Sequence, residues 1–182
     1  RSFADDCLRV VEEFGLDGID IDWEYPTSPA AGISYSPEDT GNFTMLMKDL
    51  RKVLGDGLLL TFASAASAEY VDFTAVEPYV DFVNIMAYDM ATAPKHHSAL
   101  YESEISGGMT SDKAARAHLA AGMPAHKLVL GMPFYGRGSG RYADFNDFKD
   151  IKKDIEAYEI WDEKAQVPYI ADADGTLVVG YD

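Results

Sequence analysis

Cysteine is almost absent. Cys7 stands alone among 182 residues, so no internal disulfide can form, and its place in an apolar helical stripe assigns it to a core. Basic residues are scarce too: 15 Lys and Arg stand against 31 Asp and Glu, for a formal net charge of -16. Such a surface repels polyanions, which argues against nucleic acid or an anionic membrane as partner and favours a neutral or weakly charged one. Long apolar runs are missing as well, so no membrane span is expected. The first residues carry no signal-peptide pattern and read as the middle of a helix, which puts any targeting segment outside this sequence. What is present, 47% hydrophobic and 25% charged residues, suits a globular chain with one sizeable core and an appendage.

The apolar periodicity predicts a regular alternation of elements. Phe3, Cys7, Leu8, Val10, Val11 and Phe14 mark a helix stopped by Gly15. A second helix is predicted from Ser36, as N-cap with Pro37 in the first turn, along a stripe of Phe43, Leu46, Met47, Leu50, Val53 and Leu54 to Gly55. Leu58 to Ala63 reads as a strand buried on both faces, Asp72 to Tyr79 as a short helix and Val80 to Asp89 as another strand. On that strand Asn84, Met86 and Tyr88 share one face, and the other is aliphatic. A loop with His96 and His97, a helix over 111–121 and a strand over 128–132 follow. Near-continuous apolar strands alternating with helices indicate a parallel sheet of an α/β protein, a barrel or a doubly wound sheet.

Beyond the glycine cluster Gly136 to Gly140, read as a flexible hinge because no Lys-Ser or Lys-Thr follows to make a phosphate loop, the rhythm changes. A helix near 147–157 and strands over 158–161, 167–171 and 176–181 predict a small α+β appendage. Asp174-Gly175 is a hairpin signal, and the calcium-loop echo in Asp172-x-Asp174-Gly175 lacks the remaining ligands.

The stretch Asp17-Gly18-Ile19-Asp20-Ile21-Asp22-Trp23-Glu24-Tyr25-Pro26 concentrates the chemistry. Read as a strand, it puts Asp20, Asp22 and Glu24 on one face at steps of roughly 7 Å, and Ile19, Ile21 and Trp23 on the core face. Three carboxylates so close resist ionising together, so at least one is expected to hold a proton near neutrality. Ile and Trp stand where a calcium loop would need glycine and backbone ligands.

Asp17-x-x-Asp20-x-Asp22-x-Glu24 resembles the DxxDxDxE signature of the family 18 glycoside hydrolases, the chitinase family. Three further stretches are similar to that family in the same order: Ser36-Pro37-Glu38-Asp39-Thr40-x-Asn42-Phe43, Met86-Ala87-Tyr88-Asp89, and Gly131-Met132-Pro133-Phe134-Tyr135-Gly136-Arg137. The resemblance implies strands four to seven of a (β/α)8 TIM barrel over residues 1–141, with part of an α+β insertion domain over 142–182. Strands one to three and eight would lie outside the sequence. A barrel takes about 250 residues, so the chain is expected to be a piece of a longer protein and to be inactive by itself.

By the same resemblance Glu24 is the general acid and then the base. The 2-acetamido group of the sugar is the nucleophile, forming an oxazolinium intermediate, and the configuration is retained. Asp22 is implied to hold the acetamido N–H and to share a proton with Asp20, Tyr88 to support the acetamido oxygen, Asp89 to line the same sugar, and Tyr135 and Arg137 to wall the cleft. Met86 would floor the pocket or serve as core, Asp17 would be structural, and Arg137 and Tyr88 keep the alternatives of a surface ion pair and a core tyrosine. The implied substrate is chitin or another N-acetylglucosamine-containing oligosaccharide, without cofactor or metal, in a secreted or periplasmic protein. A lectin-like member without activity and an endo-β-N-acetylglucosaminidase acting on N-glycans remain as alternatives.

Overall fold

The computed structural model describes residues 2–181, in two compact units. The first runs to Ile85 and resumes over Ala117–Val129; the second comprises Met86–Arg116 and the residues from Leu130 onward.

In the first unit, helix α1 (Phe3–Phe14) opens on a reciprocal cap. Ser2 Oγ accepts the Asp5 N–H at 3.2 Å, and the Asp5 carboxylate accepts the Ser2 N–H at 3.2 Å. The helix therefore begins at Phe3, and residue 1, where the sequence reading opened in mid-helix, lies outside the described residues. Its buried stripe is Ala4, Cys7 and Val11, while Phe3 and Phe14 are 59% and 68% exposed, because the core covers only the middle turns. Burial pushes the Cys7 thiol up, and the charge of Asp6 adds to this.

Strand β1 (Gly18–Ile21) pairs in parallel with β2 (Leu59–Ala65), Gly18 opposite Leu59 and Ile21 opposite Phe62. A Cβ at position 18 would lie 2.0 Å from the Leu59 carbonyl oxygen, so the ladder starts where only glycine fits. Helix α2 (Asp39–Leu54) begins three residues beyond Ser36. Ser36 to Asp39 instead form a turn, with the Asp39 N–H on Ser36 O at 3.1 Å and the Ser36 N–H on Asp39 Oδ2 at 2.7 Å. The predicted stripe holds: Phe43, Met47, Leu50 and Leu54 are buried.

Helix α3 (Phe73–Val76) and a short 3-10 turn (Glu77–Tyr79) lead to β3 (Phe82–Met86); helix α4 (Ser111–Ala120) precedes β4 (Leu128–Leu130). The strand order is β1-β2-β3-β4. Arg51 fastens one end of this unit: its guanidinium donates to the carbonyls of Tyr79 (2.8 Å), Gly55 (2.6 Å) and Leu58 (2.9 Å) and to Asp81 Oδ2 at 2.6 Å. Arg spans four acceptors because its fork presents five N–H groups.

The second unit holds an antiparallel sheet in the order β6-β5-β9-β8-β7, with β5 (Tyr135–Gly138), β6 (Phe145–Asp147), β7 (Glu159–Asp162), β8 (Val167–Ala171) and β9 (Leu177–Gly180). Helix α5 (Phe148–Tyr158) packs Ile151 against Ile170 and Val179. The glycine run is no hinge. Gly136 and Gly138 lie in β5, paired on both sides, and a Cβ on Gly138 would sit 2.5 Å from Ala143 O; on Gly136, 2.8 Å from Val179 Cγ1. The glycines permit close strand approach, a role that composition alone does not separate from flexibility. Asp174-Gly175 forms the expected tight turn, with Gly175 at φ +88°.

Candidate active site

The acidic stretch divides its side chains as alternation requires, although β-pairing stops at Ile21. Ile21 is buried in the core, with Ile19 and Trp23 packed against it, and Trp23 lies 6.1 Å from Phe43. Asp20 and Asp22 are exposed and Glu24 half-buried. The strand is shorter than the predicted run to Pro26, since pairing with β2 ends at Ile21 opposite Phe62.

Asp20 is anchored. It accepts from Thr61 Oγ1 on β2 at 2.5 Å and from Asn84 Nδ2 on β3 at 2.9 Å, through the same oxygen. Thr61 and Asn84 escaped the sequence reading of the site. The signal was available, since each is a polar residue within an apolar strand and Asn84 shares a face with Met86 and Tyr88.

Asp22 is not anchored to Asp20. Its proton affinity is raised, first by burial, then by the charge of Glu24 and a hydrogen bond with it, and last by the charge of Asp20. The charge of Asp20 is thus the last of these causes at Asp22, while Asp20 itself is held through Oδ1 by Thr61 and Asn84. Tyr25, next in the chain, stacks on Tyr70 at 4.9 Å, and burial followed by a hydrogen bond with Glu24 holds its phenol protonated well above the usual range. Asp17 is exposed, and its backbone carbonyl accepts the Leu59 N–H at 2.9 Å, so its contribution to the ladder is through the main chain.

The second unit gathers the other candidates. Val83, Ile85 and Ala87 are fully buried along β3 and its extension, so Met86 and Tyr88 fall on the alternate, half-buried face. Asp89 follows at φ +53°, the left-handed region that Asp tolerates better than most residues. Its two carboxylate oxygens are taken by different partners: Oδ2 by Tyr135 OH at 2.8 Å and Oδ1 by Arg137 Nη1 at 2.7 Å. Arg137 also donates to Asp144 Oδ1 at 2.8 Å and lies over the Phe145 ring at 4.0 Å. Burial, then the hydrogen bond to Asp89, holds the Tyr135 phenol protonated. Tyr88 meets Tyr135 edge-on at 6.4 Å. The sequence reading missed the buried His97, whose Nδ1 accepts the Asp89 N–H at 3.3 Å.

Among the described residues no His, Cys, Asp and Glu group is placed to hold a metal ion, and no helix is long and apolar enough to cross a membrane.

Each unit thus carries part of the predicted set: in the first a row of acids leaves a parallel strand, and in the second Asp89, just beyond β3, is clasped by Tyr135 and Arg137. The chain belongs to the glycosyl hydrolases family 18, whose profile it matches over residues 1–182. It is 34% identical to Chitinase A1 of Niallia circulans over 228 aligned positions, which take in 99% of this chain and 33% of that protein. Among solved structures it superposes on a family 18 N-acetylglucosaminidase from Paenibacillus barengoltzii with TM-score 0.82 and 32% identity, covering 98% of this chain and 62% of that one. The chitinase domain of the spore coat protein CotE from Clostridium difficile matches with TM-score 0.76 and 36% identity over 99% of this chain and 56% of that one. The fold is thus part of a TIM barrel, and the chain spans about a third of the length of Chitinase A1.

Proposed function

We propose that the full-length protein hydrolyses β-1,4 bonds next to N-acetylglucosamine in chitin or chitin-like oligosaccharides, with retention and with the substrate as nucleophile. The observation that supports this reading is the row Asp20, Asp22 and Glu24 leaving β1 with Asp20 held by Thr61 and Asn84, while burial and the charge of Glu24 raise the proton affinity of Asp22. Glu24 gives its proton to the glycosidic oxygen as the C–O bond breaks. The acetamido carbonyl oxygen of the same sugar closes on the anomeric carbon to form the oxazolinium ion, with Asp22 holding the acetamido N–H. Glu24, now a carboxylate, takes a proton from water; that water opens the ring, and the second inversion restores the β configuration. Tyr88 supports the acetamido oxygen, Met86 and Asp89 line the sugar, and Tyr135 and Arg137 form cleft wall. Because chitin is a polymer too large to enter cells, the reading also puts the protein outside the cytoplasm.

A second reading concerns product size, since one structural relative is an N-acetylglucosaminidase. The test is a product profile on chitin oligosaccharides, N-glycans and cellulose oligosaccharides. Expected are acetamido sugars released as the β anomer, seen by NMR directly after cleavage, and no action on cellulose. Monosaccharide as the sole product would select the N-acetylglucosaminidase reading. Release of the α anomer, or cleavage of cellulose, would overturn the mechanism.

A further inference from the structure

The turn after β3 is strapped from one side by two consecutive residues. Ser98 Oγ donates to the Ala87 carbonyl at 2.7 Å, the Asp89 N–H donates to His97 Nδ1 at 3.3 Å, and the Met90 N–H donates to the His97 carbonyl at 2.9 Å. His97 is 0% exposed, and its ring centroid lies 5.4 Å from that of Tyr135, tilted by 40°. One residue therefore takes two successive backbone amides of a turn whose first residue sits at φ +53°. It also packs on the tyrosine that the turn's carboxylate holds.

The chemistry of Nδ1 fixes the protonation state of the ring. Nδ1 also lies 3.6 Å from Asp89 Oδ1, but one nitrogen cannot both accept the amide hydrogen and donate to the carboxylate. The carboxylate is already taken by Tyr135 and Arg137, and a buried amide left without an acceptor is costly. The amide is the partner, so the imidazole is neutral with its hydrogen on Nε2.

We propose that His97 is a positioning residue: as the neutral Nε2–H tautomer it holds the Asp89 turn in the left-handed conformation, so that both carboxylate oxygens meet Tyr135 and Arg137 and the sugar-lining surface is preformed. The inference rests on the sugar-cleaving reading above, in that Asp89 is taken to line the sugar. His97 itself touches no reacting atom, and its effect falls on binding more than on the chemical step.

The experiment uses the full-length protein and has two arms. In the first, ¹⁵N imidazole spectra are recorded near neutral pH, with His97 assigned by its loss in His97→Asn. An unprotonated Nδ1 is expected, and a protonated Nδ1 would overturn the proposal whether or not any sugar is cleaved. In the second, His97→Leu and His97→Asn are compared on a chitin oligosaccharide, since Asn Oδ1 can replace Nδ1 as acceptor and Leu cannot. Expected is a KM rise of about five- to tenfold in His97→Leu with kcat nearly kept, the size of effect one lost hydrogen bond produces, and recovery to within about twofold in His97→Asn. Equal KM in parent and His97→Leu, or His97→Asn as impaired as His97→Leu, would overturn it. If His97→Leu does not fold, the spectra and His97→Asn decide. A parent that cleaves no acetamido sugar removes the functional reading alone and leaves the first arm to judge His97.

Discussion

Arg137 Nη1 and Asp89 Oδ1 meet at 2.7 Å, joining the end of one strand to another 48 residues later in the sequence. The guanidinium is 11% exposed, and its second branch is committed to Asp144. A lysine can reach one of these carboxylates but cannot fork to both. Arg137→Lys is therefore expected to raise KM for a chitin oligosaccharide about tenfold and to lower stability by roughly 1–2 kcal/mol, read by steady-state kinetics and urea melts. An unchanged KM would show that the clasp plays no part in binding.

Glu24→Gln keeps the side-chain shape and removes the proton donor. For the full-length protein the expected result is a fall in kcat of about 10²–10⁴-fold with sugar affinity largely kept, measured by turnover and by calorimetric binding of an oligosaccharide. Turnover equal to the parent's would refute the role given to Glu24.

Asp22 links the site to the pH dependence of stability. Its folded-state proton affinity lies above the ordinary value of 3.8, raised first by burial and then by Glu24. The stabilising contribution of the protonated group is complete below that ordinary value and is lost as pH rises through the folded one. Asp22→Asn removes the ionisation. The variant should melt about 1–3 °C above the parent near pH 7, with the gap closing toward about pH 3, in a pH series of thermal melts. A gap that widens in acid would show the sign to be wrong.

Three glycines make a stability test with opposite signs. Gly18→Ala and Gly138→Ala force a Cβ against backbone oxygens of Leu59 and Ala143 and are expected to cost about 2 kcal/mol or more. Gly41, within α2, has open space around the added methyl, and Gly41→Ala should stabilise by about 0.5–1 kcal/mol. Chemical denaturation of the three variants checks the order.

Helix and strand identities were legible because they follow from period and punctuation, which are local. The stripe of α2, its stop at Gly55 and the Asp174-Gly175 turn all stand where the apolar spacing and the glycines put them. The acids were legible for a second reason. Asp20, Asp22 and Glu24 alternate with Ile21 and Trp23, and that alternation survives even where strand pairing ends.

Partnership was not legible. Asp20 is paired to residues 41 and 64 positions away, Asp89 to residues 46 and 48 positions away, and β5 to strands on both sides of it. Whether Gly136 and Gly138 bend or pack depends on what backbone lies beside them. By itself the sequence determined the elements, the faces they present and the family. Only the tertiary structure decided which acid is anchored and by which partners, because hydrogen bonds act over a few ångströms in space with no regard to separation along the chain.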